Sequence, residues 1–282
     1  MTTMKKILCA LDFSPASENA LRYALRYADT YAAEVHLLHV LEPIPDAVME
    51  IPQSIPMINR KELETAKERL QKLAENTLTE VAAELKHIPT LTTEVSLGPV
   101  GYIVNEMATE KGVNLIVVGT SGAAERPWWM SSVSSEIIDH PAIPVLVVPL
   151  EATYQPLDRI SFATDLRQAD VLHLLRLVEF FRPLTPEIRC LHITESPKAH
   201  TEIELEELIA VFSEQIKDIP MTFHQLDEED ITEALEAFNL LFHIDLQVLV
   251  RPRRSFFQNL FHRSQSKRTA GYTHVPLLVW PG

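Results

Sequence analysis

Along the chain, short unbroken apolar runs alternate with longer stretches in which apolar positions recur every three or four residues. Residues 7–12 (ILCALD), 34–40 (EVHLLHV), 114–119 (NLIVVG) and 143–149 (IPVLVVP) are runs of the first kind. Each holds four to six apolar, often β-branched residues, as a strand buried on both faces of a parallel sheet requires. Between them the period is helical. Ser14 is a fitting N-cap with Pro15 at the first helical position, and Ala20, Leu21, Ala24, Leu25 and Ala28 form one apolar stripe. Residues 60–86 lack Gly and Pro and interleave charge with Leu63, Leu70, Leu73, Leu78 and Val81, which predicts a long amphipathic helix. Val100, Ile103, Val104 and Met107 mark a third helix, and Val133, Ile137 and Ile138 a fourth. Strands separated by helices imply right-handed crossovers and a doubly wound parallel α/β sheet.

The pattern occurs twice. Residues 160–165 (ISFATD) and 187–193 (EIRCLHI) follow their counterparts at 7–12 and 34–40 by the same 153 positions. Residues 245–250 (DLQVLV) and 275–281 (VPLLVWP) match 114–119 and 143–149 at offsets of 131 and 132. Order is preserved throughout, so the chain reads as two diverged copies of one domain, spanning 1–150 and 151–282. The second copy predicts helices near 167–182, 203–217 and 231–241, and residues 151–158, with Pro156, form the natural linker. The first copy holds 22 extra residues between its second strand and the run at 114–119, with much of the excess expected in the Pro-rich stretch 42–59.

Composition places the chain among globular proteins, with 46% apolar and 23% charged residues in 282. No apolar run reaches bilayer length, and residues 1–6 lead straight into a strand-like segment rather than a signal peptide, so no membrane association and a cytoplasmic location are expected. Cys9 and Cys190 each lie inside an apolar run with no ligand spacing, as buried small hydrophobes do. A net charge of −14 argues against general nucleic-acid binding, although residues 246–282 contain no Asp or Glu and six cations. The basic stretch 251–268 carries Phe256, Phe257 and Phe261; a solvated helix face with core phenylalanines is preferred to an anion patch.

In an open α/β sheet, ligands sit at the carboxyl ends of the strands near the point where strand order reverses. Here the run 115–118 leads into Gly119-Thr120-Ser121-Gly122, with a helix expected from about Ser131-Ser132-Val133. Glycine permits close approach of backbone to phosphate, and amides at a helix N-terminus attract its charge. Together with Asp12-Phe13-Ser14-Pro15, Leu38-His39-Val40, Gly98-Pro99 and the closing Pro144-Val145-Leu146-Val147-Val148, this resembles the universal stress protein family in its tandem form. The second copy retains Ala163-Thr164-Asp165, Leu191-His192-Ile193 and Pro276-Leu277-Leu278-Val279.

The resemblance implies a five-stranded, adenine nucleotide alpha hydrolase-like sheet in each copy. It also implies ATP or another adenine nucleotide as ligand of the first. It assigns adenine and ribose contacts to Asp12 and Val40, and phosphate contacts to the backbone of Gly119, Gly122, Ser131 and Ser132 with the Ser132 hydroxyl. Ala10 and Val133 complete the cofactor-binding set. The chain departs from the family loop, Gly-x2-Gly-x9-Gly-Ser/Thr: Ser131 stands at the third glycine, and only residues 123–130, Trp128 and Trp129 among them, separate it from Gly122. In the second copy the glycine positions carry Val250, Arg253 and Arg263.

Two readings stay open, a stress-response adenine-nucleotide binder using its N-terminal copy and an interaction scaffold that has lost nucleotide. An enzyme is disfavoured, since no Gly-x-Ser-x-Gly elbow, HExxH or Walker A sequence occurs; slow ATP hydrolysis is the most it would do. The eleven histidines show no metal-ligand spacing, and His39 and His192, at equivalent strand ends, read as structural. Single-domain members of the family commonly dimerise through the last strand. The two copies are therefore expected to form an intramolecular pseudo-dimer through residues 143–148 and 275–280, with a homodimer through another surface also open.

Overall fold

A computed structural model describes residues 4–42, 55–120, 137–138, 141–194, 203–228, 230–250 and 275–281. It divides into two units between Leu150 and Glu151. In the first unit, β1 (Lys6–Ala10), β2 (Glu34–Leu41), β3 (Leu91–Leu97), β4 (Leu115–Thr120) and β5 (Val145–Pro149) form a parallel sheet in the order β3-β2-β1-β4-β5. Ile7, Leu8, Cys9, Ile116 and Val117 are wholly buried in its centre, which is why these runs lack polar alternation. Strand order reverses between β1 and β4, so right-handed crossovers put α1 (Pro15–Tyr31) and α2 (Ile55–Val81) on one face and α3 (Val100–Glu110) on the other.

Helix α1 begins as its sequence dictates. The Ser14 hydroxyl accepts from Ser17 N at 3.2 Å, Pro15 occupies the first turn, and the stripe from Ala20 to Ala28 is buried. The helix stops at Ala32 in the left-handed region, φ 50°, with the cap N–H returned to Ala28 and Asp29 carbonyls. A bidentate Arg22–Glu80 pair, and Arg26 donating from Nε and Nη2 to one oxygen of Glu84, tie α1 to α2 and its following 3₁₀ turn Ala82–Glu84. The buried stripe of α2 is Ala66, Leu70, Ala74, Thr77 and Val81, whereas Leu63, Leu73 and Leu78 lie at its margins.

The second unit repeats the topology. Strands β6 (Arg159–Ala163), β7 (Glu187–Thr194), β8 (Met221–Asp227), β9 (Leu246–Val250) and β10 (Leu277–Trp280) run parallel in the order β10-β9-β6-β7-β8. They alternate with α4 (Gln168–Phe181), α5 (Leu205–Gln215) and α6 (Ile231–Leu241). Asp230 caps α6 by accepting from Thr232 N at 3.0 Å and Glu233 N at 3.3 Å.

One expectation is corrected. Much of the first copy's excess length is helical: α2 has 27 residues and its counterpart α5 has 11, so the Pro-rich stretch is not where most of it goes. Both cysteines are free and fully buried, and burial pushes both thiols well above their ordinary range, which makes them inert small hydrophobes. No helix among the described residues is long and apolar enough to cross a membrane.

Candidate functional site

The carboxyl ends of β1 and β4 lie side by side at the point where strand order reverses, with Ala10 in register with both Val118 of β4 and Leu38 of β2. Ala10 is buried at the end of β1, and Val40 stands half-buried near the end of β2. Asp12 follows β1 and is exposed at this edge. Its Oδ1 accepts from Ser14 N at 2.9 Å. Partial burial works to raise the Asp12 carboxyl, but hydrogen bonding to Ser14 and Ser17 outweighs it and holds the group below the usual carboxylate range. The edge therefore carries a fixed, ionised acceptor, the chemistry that recognises hydroxyl groups.

The loop after Asp12 is shaped by one residue in an uncommon conformation. Phe13 has φ 61°, in the left-handed region that bulky residues seldom occupy. Its ring lies 4.3 Å from the His39 ring, and the Arg69 guanidinium carbon sits 4.2 Å over the same ring. His39 is buried, with Nδ1 2.6 Å from the Leu11 carbonyl oxygen. A carbonyl only accepts, so Nδ1 carries the proton and the tautomer is set.

Gly119, near the end of β4, is required for packing. A Cβ there would lie 2.3 Å from the Ala16 carbonyl oxygen and 2.6 Å from Ser17 N, both in the backbone of the first turn of α1. The phosphate-contact role expected for this glycine is not needed to account for it. Gly98, at φ 148°, donates its N–H to the Leu41 carbonyl at 3.0 Å and so closes the end of β2 against the turn into α3. The structure thus brings Ala10, Asp12, Val40 and Gly119 to one edge. Gly122, Ser131, Ser132 and Val133 lie outside the described residues, as do Trp128, Trp129 and the basic stretch 251–268.

The second unit preserves the frame of this edge and changes its chemistry. His192 Nδ1 lies 2.9 Å from the Thr164 carbonyl, and Leu166 repeats the left-handed turn at φ 55°, so the paired histidines are structural parts of the repeat, as their equivalent positions predict. Asp165, the counterpart of Asp12, is exposed and paired with Arg167 at 3.4 Å. The capping role passes to Asp170, which accepts from Thr164 Oγ1 at 2.7 Å and from Arg167 N at 3.1 Å. Val250 occupies the place of Gly119.

The Phe13–Arg69 contact was not foreseen from the sequence. Phe13 was visible in the motif, but Arg69 is one charge among many on an amphipathic helix, and nothing local marks it.

Two copies of a parallel 3-2-1-4-5 sheet define a tandem α/β protein of the adenine nucleotide alpha hydrolase-like fold. The sequence model described as the universal stress protein family matches residues 3–149, and the chain belongs to that family. It is similar to universal stress protein G of Salmonella typhimurium, at 29% identity over 127 residues, which cover 44% of this chain and 86% of that protein. A universal stress protein of Methanocaldococcus jannaschii is 30% identical over 149 residues, covering 51% of this chain and 81% of the relative. In three dimensions the chain matches a universal stress protein from Archaeoglobus fulgidus with a TM-score of 0.64 and 14% identity, over 99% of this chain and 97% of the other. That likeness shows the shared fold.

Proposed function

We propose that this universal stress protein holds an adenine nucleotide, ATP, ADP or AMP, at the carboxyl edge of its first unit and reports it through conformation. The observation that carries this reading is the ionised Asp12 at the reversal point of the sheet, beside the ends of β2 and β4. In this reading Asp12 and Val40 hold ribose and adenine. The backbone of Gly119, Gly122, Ser131 and Ser132 and the Ser132 hydroxyl hold the phosphates, with Ala10 and Val133 beside them. The nucleotide acts as a bound signal, with at most slow turnover.

The second reading, a stress-response scaffold without nucleotide, is favoured by one specific observation: Gly119 is fully explained by its contact with α1. The Ser131 substitution and the shortened loop point the same way. The two readings separate in a thermal melt. A ligand that binds only the folded state stabilises it by about 2.7 kcal/mol at a hundredfold excess over its dissociation constant. ATP or AMP is therefore expected to raise the melting temperature of the wild type and not that of Asp12→Ala. Saturating nucleotide with no shift and no calorimetric heat would leave the scaffold reading standing.

A further inference from the structure

We propose that the second unit contains a water-binding site within its fold: a pair of internal waters strung between Arg189, Ser161 and Gln247 on the sheet face beneath α6. The three residues stand side by side. Ser161 of β6 is in register with Arg189 of β7 on one side and with Gln247 of β9 on the other. Residues in register on neighbouring parallel strands point to one face. At its Arg189 end that face is covered by α6 and the residue after it. The Arg189 guanidinium carbon lies 4.4 Å over the Phe242 ring. Phe238 of α6 is 5.2 Å from the ring of His224, which stands two positions along β8 from Thr222, the register partner of Arg189.

Each of the three residues carries a buried polar atom with no partner among the described residues: Arg189 Nε, Ser161 Oγ and Gln247 Oε1. Ser161 is wholly buried and Gln247 is 4% exposed. The other hydrogen-bonding groups of the two long side chains are engaged. Arg189 Nη2 meets Glu187 at 2.8 Å, and Gln247 Nε2 donates to the carbonyls of Ser161 at 3.4 Å and Val248 at 3.1 Å. Turning this amide over would set its oxygen against two carbonyl oxygens, so Oε1 is the atom left over. Burying a polar atom without a partner is costly, and interior water is the partner that proteins use where side chains do not reach.

The order of the groups fits such a chain. The arginine Nε can only donate, the amide oxygen can only accept, and the hydroxyl between them does both. Arg189 donates to the first water, which donates to Ser161; the Ser161 hydroxyl donates to the second, which donates to Gln247. The spacing fits as well. Neighbouring strands lie about 4.8 Å apart, and two hydrogen bonds of about 2.8 Å meeting at a water span about the same distance.

The first unit serves as an internal control. At the positions equivalent to Ser161 and Gln247 it has Leu8 and Ile116, both wholly buried, beside His36, whose Nδ1 is bonded to the Thr92 hydroxyl. An apolar pair offers water no hydrogen bond, so the same place in the first sheet is packed dry.

Two measurements on the full chain test the site. A crystal structure at a resolution that shows ordered solvent is expected to place one peak between Arg189 Nε and Ser161 Oγ, and another between Ser161 Oγ and Gln247 Oε1. Magnetic relaxation dispersion of the water oxygen counts long-held waters by its amplitude. That amplitude is expected to fall by about two waters in the double variant Ser161→Leu with Gln247→Ile, which copies the first unit. Ser161→Val, a smaller change that fills the middle of the row, should give a loss in the same direction, and it keeps the measurement decisive if the double variant does not fold. An amplitude as large in Ser161→Val as in the wild type would overturn the site. So would a crystal structure in which Ser161 Oγ bonds directly to Gln247 Oε1 or to a backbone carbonyl, with no solvent between the strands.

Discussion

A glycine in a Gly-x-x-Gly loop invites a ligand explanation, yet at Gly119 the space beside Cα is already taken by the first turn of α1. Sequence alone cannot separate a glycine that faces a ligand from one that faces a helix, because the difference lies in which backbone the fold brings near. Asp12 was more legible. A strand-end acid followed by Phe-Ser-Pro announces a cap, and Ser14 does cap α1, which leaves the carboxylate fixed at the edge. Arg69 was illegible because a stack with a residue more than fifty positions away leaves no periodic trace. The packing account of Gly119 predicts that Gly119→Ala loses about 1–3 kcal/mol of stability without any nucleotide, since the clash is with backbone that has no rotamer to change. Urea denaturation of the ligand-free protein measures it, and an unchanged midpoint would contradict the packing account.

The central strands and α1 could be read from the chain, whereas the edge strands could not. Strand β3, Leu-Thr-Thr-Glu-Val-Ser-Leu, and β8, Met-Thr-Phe-His-Gln-Leu-Asp, have no apolar run because each is an edge strand with one neighbour, and of their residues only Val95 is buried. Their polar side chains do local work instead. His36 of β2 has Nδ1 2.7 Å from the Thr92 hydroxyl of β3 and Nε2 3.2 Å from the Glu94 carboxylate, which also pairs with Lys111 at 3.0 Å. Burial, then the charge of Lys111, lowers the His36 imidazole below the ordinary value of 6.5, against the opposing pull of Glu94. The unfolded chain therefore takes this proton more readily than the fold does. The sign follows: His36 costs nothing well above 6.5, and the fold loses stability as pH falls through 6.5 towards the lower folded value. His224 in the second unit is lowered in the same direction, chiefly by burial, so the wild-type decline has more than one source. His36→Gln is expected to flatten part of the fall in urea midpoint between about pH 7 and pH 5. A variant whose profile runs parallel to wild type would remove His36 from that linkage.

At the scale of the whole molecule, the duplication was the most legible feature, because equal offsets between apolar runs survive even where chemistry has diverged. Both units keep the strand order and the histidine pinned beneath a left-handed residue, so the frame has been conserved between the copies as a matter of packing. What separates them lies at the carboxyl edge. The first carries Asp12 bonded into the capped loop, Phe13 under Arg69, and glycine at 119 and 122. The second carries Asp165 paired with Arg167, Leu166 in place of the ring, and Val250, Arg253 and Arg263 where a phosphate loop needs glycines. Side chains at three such positions would obstruct the close backbone approach that a phosphate cradle depends on. The chain is therefore expected to bind one adenine nucleotide, not two. Calorimetric titration of the full chain with ATP should give a stoichiometry near one. Asp12→Ala should remove all of the heat, and Asp165→Ala should leave it unchanged, since that carboxylate is engaged by its own neighbour. Two equivalents bound would give the second unit a site of its own and contradict the single-site reading, and heat that survives Asp12→Ala and disappears in Asp165→Ala would place the site in the second unit and reverse the assignment of roles to the two copies.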